Sequence, residues 1–220
     1  MFEELTARDG HTFQCWMKPA VGTRRGGLVI LQEIFGVTDQ LKRLGDRYAA
    51  LGYDIAIPAL FDRIGRGIVV PFDEITRARD LMMSCDADAT MTDIAAAVDA
   101  LAARGNGKVA VMGFCWGGGL ALRAAQALPV AGAVSFYGTR LTQYVNKPLR
   151  AAFLAHFGRE DSHSPPEVIA ELEEAFPDME GHVYEAGHGF ANEQRPSGYA
   201  PEATALAHER TEAFLEKVCA

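Results

Sequence analysis

The sequence predicts a doubly wound, mostly parallel α/β sheet flanked by helices, and three observations lead there. Short β-rich runs alternate with helical stretches along nearly the whole chain. Runs such as GLVIL and VAVM are apolar throughout, as expected of strands covered on both faces by crossover helices. The chain of 220 residues is 49% hydrophobic and has no Ser/Gly/Pro-rich linker, repeat or low-complexity stretch, so one domain over 1–220 with one sizeable core is expected.

Taken in order, the first segment alternates polar and apolar residues around Asp9-Gly10, the signature of a hairpin. Strands are expected over 27–32, 53–58, 108–112, 132–136, 151–157 and 182–184. Helices are expected over 38–51, 73–84, 90–104, 117–127, 165–176 and 201–218, the fourth of them rich in alanine.

Composition excludes several classes. A formal charge of -8 leaves no basic excess to neutralise phosphates, so nucleic acid is not an expected partner. No apolar run approaches the ~18 residues of a membrane span, and the N-terminus lacks the basic-then-apolar pattern of a secretory signal. A cytoplasmic location and no membrane partner follow as expectations. The cysteines at 15, 85, 115 and 219 show no paired metal-ligand or redox spacing, so no metal is expected. Cys15, Cys85 and Cys219 read as small hydrophobes.

In parallel α/β sheets ligands bind beyond the carboxyl ends of the strands. The segments there are LQEIFGV (31–37), PALFDRIGRG (58–67), MGFCWGG (112–118), SFYGT (135–139), FGREDSHSP (157–165) and YEAGHGFAN (184–192). Cys115, Glu160, Asp161 and His188 all fall in this set. A strand reversing into a helix within a few residues forces its apex into a positive φ, and the residues two places either side must be small. Gly113 and Gly117 meet that demand around Cys115. The turn lifts the thiol out of the sheet and turns the Trp116 N–H towards whatever the thiol attacks. A buried core thiol would gain nothing from such a turn, and a phosphate-cradling loop would need glycine at position 115.

A free thiol is only a few per cent ionised near neutrality, so it needs a base. His188, after the last strand and before the last helix, is the candidate; His163 and His182 are the less easily dismissed of the other five histidines. An acid must orient the base, and Glu160 and Asp161 are inseparable by spacing; either can also cap the helix near Pro165. The order nucleophile, acid, histidine is that of α/β-hydrolases. The second oxyanion donor is expected from the loop after an early strand, which nominates the Ile34 N–H.

LQEIFGV, GFCWGG, SFYG, GREDSHSP and AGHGF together resemble the dienelactone hydrolase (carboxymethylenebutenolidase) family over most of the chain. The resemblance implies an α/β-hydrolase fold and a Cys115–Asp161–His188 triad opening an enol-lactone through a thioester, with no cofactor. It also implies that Glu33 lies against the resting thiol until substrate displaces it, and that Tyr137 stands near the site. Read from the residues alone, a solvated loop acid is the alternative for Glu33, and ordinary packing at a strand end the alternative for Tyr137. The family carries a substrate-holding arginine four residues after the histidine. Asn192 stands there in this chain, with Arg195 three further on. A second carboxylate-holding arginine is sought among Arg63, Arg66, Arg77 and Arg79, with Arg77 and Arg79 preferred.

The expected partner is a small ester or lactone, with or without a carboxylate, bound by a monomer or small homo-oligomer. A general carboxylesterase or thioesterase of the same fold is the alternative that Asn192 favours, since Asn does not replace a bidentate Arg. A non-catalytic ligand-binding or redox-sensing thiol protein is the alternative from another class. The 60–75 segment reads equally as a substrate cover or as a loop packed on the sheet.

Overall fold

The chain begins with the expected hairpin. β1 (Phe2–Thr6) and β2 (Thr12–Lys18) pair antiparallel, Phe2 opposite Trp16 and Thr6 opposite Thr12. The computed structural model describes residues 1–105, 107–195 and 197–220. They group into two units, Met1–Val109 and Ala110–Ala220.

In the first unit, β2 pairs antiparallel with β4 (Tyr53–Pro58), and β4 runs parallel to β3 (Gly26–Leu31), giving the order β1-β2-β4-β3. Every residue of β3 and β4 is buried; β3 reads as an unbroken apolar run, and β4 departs from one only at Asp54, which accepts from the Ala20 N–H at 2.8 Å and pairs with Arg24. Helix α1 (Asp39–Ala50) starts where the Thr38 hydroxyl accepts the Leu41 N–H at 3.3 Å. Its Gly45 lies so close to the sheet that a Cβ there would stand 2.6 Å from the Trp16 ring. Helix α2 (Ile75–Ser84) is mostly exposed. Helix α3 (Ala87–Ala102) starts three residues before the expected 90, because Asp86 accepts the Asp88 and Ala89 N–H groups at 3.0 and 2.7 Å.

The 60–75 segment is tied down within this unit. Arg63 makes two bonds to the buried Asp93, at 2.8 and 2.7 Å, and also meets Thr92 and Asp9. The Val70 N–H donates to Phe35 O at 2.9 Å, and Phe72 packs edge-on against Phe35 with centroids 4.8 Å apart. Ile34, Ile68 and Leu81 join that small core. The segment is packed against its own unit through the early loop.

In the second unit, β5 (Val109–Phe114), β6 (Gly132–Phe136), β7 (Ala152–Gly158) and β8 (Glu180–Tyr184) pair in that order, all parallel. Helices α4 (Trp116–Ala127), α5 (Pro166–Ala175) and α6 (Pro201–Cys219) and a short 3-10 turn (Leu141–Tyr144) connect and follow them. β5 extends two residues past the expected 112, and β8 starts two residues before 182. Among the described residues no helix is long and apolar enough to cross a membrane.

β7 buries a histidine. His156 is fully enclosed, with Nδ1 at 2.8 Å from the Tyr184 hydroxyl and Nε2 at 2.9 Å from Thr211 Oγ1 of α6. Burial, reinforced by His182, His208 and Arg210, pushes its pKa well below 6.5. The unfolded ring takes up a proton below 6.5 that the folded ring refuses, so its contribution is full above that pH and is lost as pH falls. The protein's resistance to thermal unfolding should therefore fall as the pH drops below 6.5. A His156→Gln variant should show a flatter acid limb in the same melts; an unchanged limb would remove His156 as the cause.

Candidate active site

Three glycines crowd the end of β5. Gly113 faces the first turn of α4 so closely that a Cβ would stand 1.9 Å from Gly117 O. A Cβ on Gly118 would meet Gly138 Cα and Ser135 Oγ, each at 2.6 Å. Between them, Cys115 turns the strand into the helix with φ 54° and ψ -115°. That left-handed conformation costs a non-glycine residue on the order of 1–3 kcal/mol. Bonds on both sides hold it: Cys115 N–H donates to Phe136 O at 3.0 Å, and Cys115 O accepts from Gly118 and Thr139 N–H at 3.0 Å. Trp116 is the first residue of α4, so its N–H belongs to the positive end of the helix.

The loops after β7 and β8 run together. Arg159 N–H donates to Tyr184 O at 2.8 Å and Glu160 N–H to Ala186 O at 3.1 Å. Gly158 permits this, since a Cβ would lie 2.5 Å from Ala186 O. The pairing leaves Glu160 exposed and turns the next side chain, Asp161, fully inward. Asp161 Oδ2 meets His188 Nδ1 at 2.8 Å, and Oδ1 accepts the His163 N–H at 2.8 Å. α5 is entered at Pro165 without a side-chain cap, so neither acid serves as its N-cap.

Cys115 acts on the His188 imidazole together with Asp161, so thiol, imidazole and carboxylate are electrostatically coupled. Burial by itself would push the imidazole pKa down. The hydrogen bonds to Asp161 and Cys115, and the charges on both, more than offset it and raise the pKa from 6.5 to about 10. Burial pushes the Cys15 thiol far up and Cys85 to about 11, so neither ionises readily.

Tyr137 follows β6 with φ 38°, and its buried ring meets His188 edge-on at 5.2 Å. Asn192 is buried, and its side chain accepts the Gln194 N–H at 3.1 Å. Arg195 is half-buried, with Nη1 3.0 Å from where a Cβ of Gly189 would stand. His163, one of the two histidines that sequence reasoning could less easily dismiss as the base, lies with its ring 4.7 Å from that of His188. Its only sequence signal is its place two residues after the acid.

The remaining expected residues belong to the first unit. Glu33 is buried after β3, and Ile34 packs beside Phe35. Gly36 follows at φ 84°, where a Cβ would meet Ile68 O at 2.2 Å. Arg77 and Arg79 are exposed on α2, Arg77 paired with Glu74 at 2.8 Å; Arg66 pairs with Glu4.

A cysteine on a strand-to-helix elbow, with an acid-paired histidine after the last strand, is the layout of an α/β hydrolase. Solved structures carry the same fold. One from Klebsiella pneumoniae subsp. pneumoniae MGH 78578 superposes with TM-score 0.84 over 98% of each chain at 24% identity. The esterase Pf2001 of Pyrococcus furiosus does so with TM-score 0.72 over 100% of this chain and 93% of its own, at 15% identity. The dienelactone hydrolase family model matches residues 15–219. The carboxymethylenebutenolidase of Pseudomonas putida is 35% identical over 96% of this chain and 94% of its own length. The chain belongs to the dienelactone hydrolase family, and it is a hydrolase of the ester and lactone type.

Proposed function

We propose that the protein hydrolyses small esters and enol-lactones with Cys115 as nucleophile, His188 as proton carrier and Asp161 as the acid that orients it. The observation that carries this is the positive-φ Cys115 elbow, electrostatically coupled to an imidazole that is itself held by a fully buried carboxylate. His188 holds the proton drawn from Cys115, and Asp161 keeps the resulting imidazolium oriented. The thiolate adds to the carbonyl carbon, and the Trp116 N–H at the α4 terminus stabilises the oxyanion. Collapse breaks the ring C–O bond, and the leaving oxygen takes the proton from His188. Water then gives a proton to His188 as its oxygen attacks the thioester; the C–S bond breaks and the carboxylic acid departs. Tyr137 walls the imidazole against alternative orientations.

The P. putida relative is named for carboxymethylenebutenolide, which supports an enol-lactone substrate. A neutral ester is the second reading, favoured by the buried Asn192, which is engaged in its own turn. Rapid acid quench during turnover followed by intact-mass analysis should show the enzyme carrying one acyl group, mapped by digestion to Cys115. Absence of any acyl adduct under substrate saturation, across both substrate types, would count against the thioester route. In the same assays, kcat/KM at least about tenfold higher for a carboxylate-bearing enol-lactone than for a neutral aryl ester supports the first substrate class. The reverse ratio supports the second.

A further inference from the structure

We propose that Asp161, His163 and His188 form a binding site for a zinc-class divalent ion, and that occupancy switches the hydrolase off. The ion site stands on geometry alone; the switching half rests on the functional reading above. One ligand atom from each of the three residues lies within 4.8 Å of the other two. Zinc bonds of about 2.0–2.2 Å in tetrahedral geometry need ligand atoms about 3.3–3.6 Å apart, so the widest separation must close by at most about 1.5 Å. The closing movement is assigned to His163, whose side chain is exposed, while Asp161 Oδ2 and His188 Nδ1, now 2.8 Å apart, must open by about 0.5 Å to admit the ion.

The surroundings are those of a metal ligand set. The His163 backbone N–H donates to Asp161 Oδ1 at 2.8 Å, which holds the carboxylate in orientation and directs Oδ2 towards the two rings. Such supporting bonds orient ligands at metal sites. The rings of His163 and His188 are 4.7 Å apart and inclined at 57°. Two imidazoles and a carboxylate are ligands that zinc accepts readily, and three protein ligands leave a fourth position for water.

The consequence for chemistry follows from the tautomer. An ion seated between Asp161 Oδ2 and His188 Nδ1 takes the lone pair of Nδ1 and releases its proton to solvent. The one proton left on the ring is then at Nε2. A ring in that state has no lone pair with which to draw a proton from Cys115, and the bond between acid and base is broken. Binding thus disables the base without touching the thiol, and chelation restores it.

Cobalt(II) and zinc(II) added to the purified protein test the site. Cobalt should develop the intense visible bands of tetrahedral coordination, displaced stoichiometrically by zinc, in wild type and in Cys115→Ala alike. Zinc should inhibit ester hydrolysis reversibly, with EDTA restoring the rate. His163→Gln keeps the backbone N–H, so its metal-free rate should match wild type while zinc affinity falls at least about tenfold. Zinc affinity unchanged in His163→Gln, or cobalt bands lost in Cys115→Ala but kept in His163→Gln, would overturn the site. The cobalt spectrum needs no substrate, so a failed hydrolysis assay leaves the site test intact. Tetrahedral cobalt bands with no loss of rate would overturn the switching half alone.

Discussion

Cys115→Ala should lower the hydrolysis of an activated aryl ester or an enol-lactone by at least about 10⁴-fold, because the group that bonds to the carbonyl carbon is gone. The fold should be unaffected. Alanine has the same Cβ as cysteine and no more difficulty at φ 54°, and the bonds that hold the elbow are all backbone bonds to Phe136, Gly118 and Thr139. Melting temperature and circular dichroism should therefore match wild type within a few degrees. Turnover retained in a folded Cys115→Ala variant would remove the thiol from the reaction. Residual catalysis, if measurable, would come from the α4 terminus and from substrate positioning.

The second large effect is expected of Asp161→Asn, with a loss of about 10³–10⁴ in kcat. The asparagine amide donates where the carboxylate accepted, so His188 Nδ1 must become an acceptor and its proton moves to Nε2. That is the wrong tautomer for drawing a proton from Cys115. The variant also removes a partner that raises the His188 pKa to about 10. A base whose folded pKa is raised holds its proton below that value and loses it above. In wild type the protonated imidazole thus persists through neutrality, and its ability to protonate the leaving oxygen is lost near pH 10. In Asp161→Asn this alkaline limb should move down towards neutrality. Rates of Cys115 alkylation against pH, measured alongside kcat, would follow the same displacement. Glu160→Gln, at an exposed position, should leave both profiles unchanged. An Asp161→Asn enzyme with wild-type kcat would show that the carboxylate does not orient the base.

Much of the architecture was readable because local and global preferences agree. The mainly apolar runs at β3 to β6 are buried throughout, and the Asp9-Gly10 hairpin turns where its glycine reaches φ 86°. The elbow was readable for the same reason. Gly113 and Gly117 are small because helix and strand backbones meet there, and the strained residue lies between them. Asp161 and Glu160 were not separable, because a one-residue shift along a loop reverses which side chain faces inward. The deciding bonds, Arg159 to Tyr184 and Glu160 to Ala186, join positions 25 or more residues apart. The arginines show the same limit. Arg63 and Arg66 are equivalent in sequence, yet one is consumed by the buried Asp93 and the other pairs on the surface with Glu4.

The sequence by itself determined the order of strands and helices, the strained cysteine between β5 and α4, and the family. Each of these rests on spacing within a few residues or on motifs taken together. Only the tertiary structure decided which acid holds His188, that Asn192 is buried with its side chain bonded to the Gln194 N–H, and that His163 stands beside the imidazole. Those outcomes depend on where separate loops meet, and two loops that pair through backbone atoms leave almost no trace in their side chains.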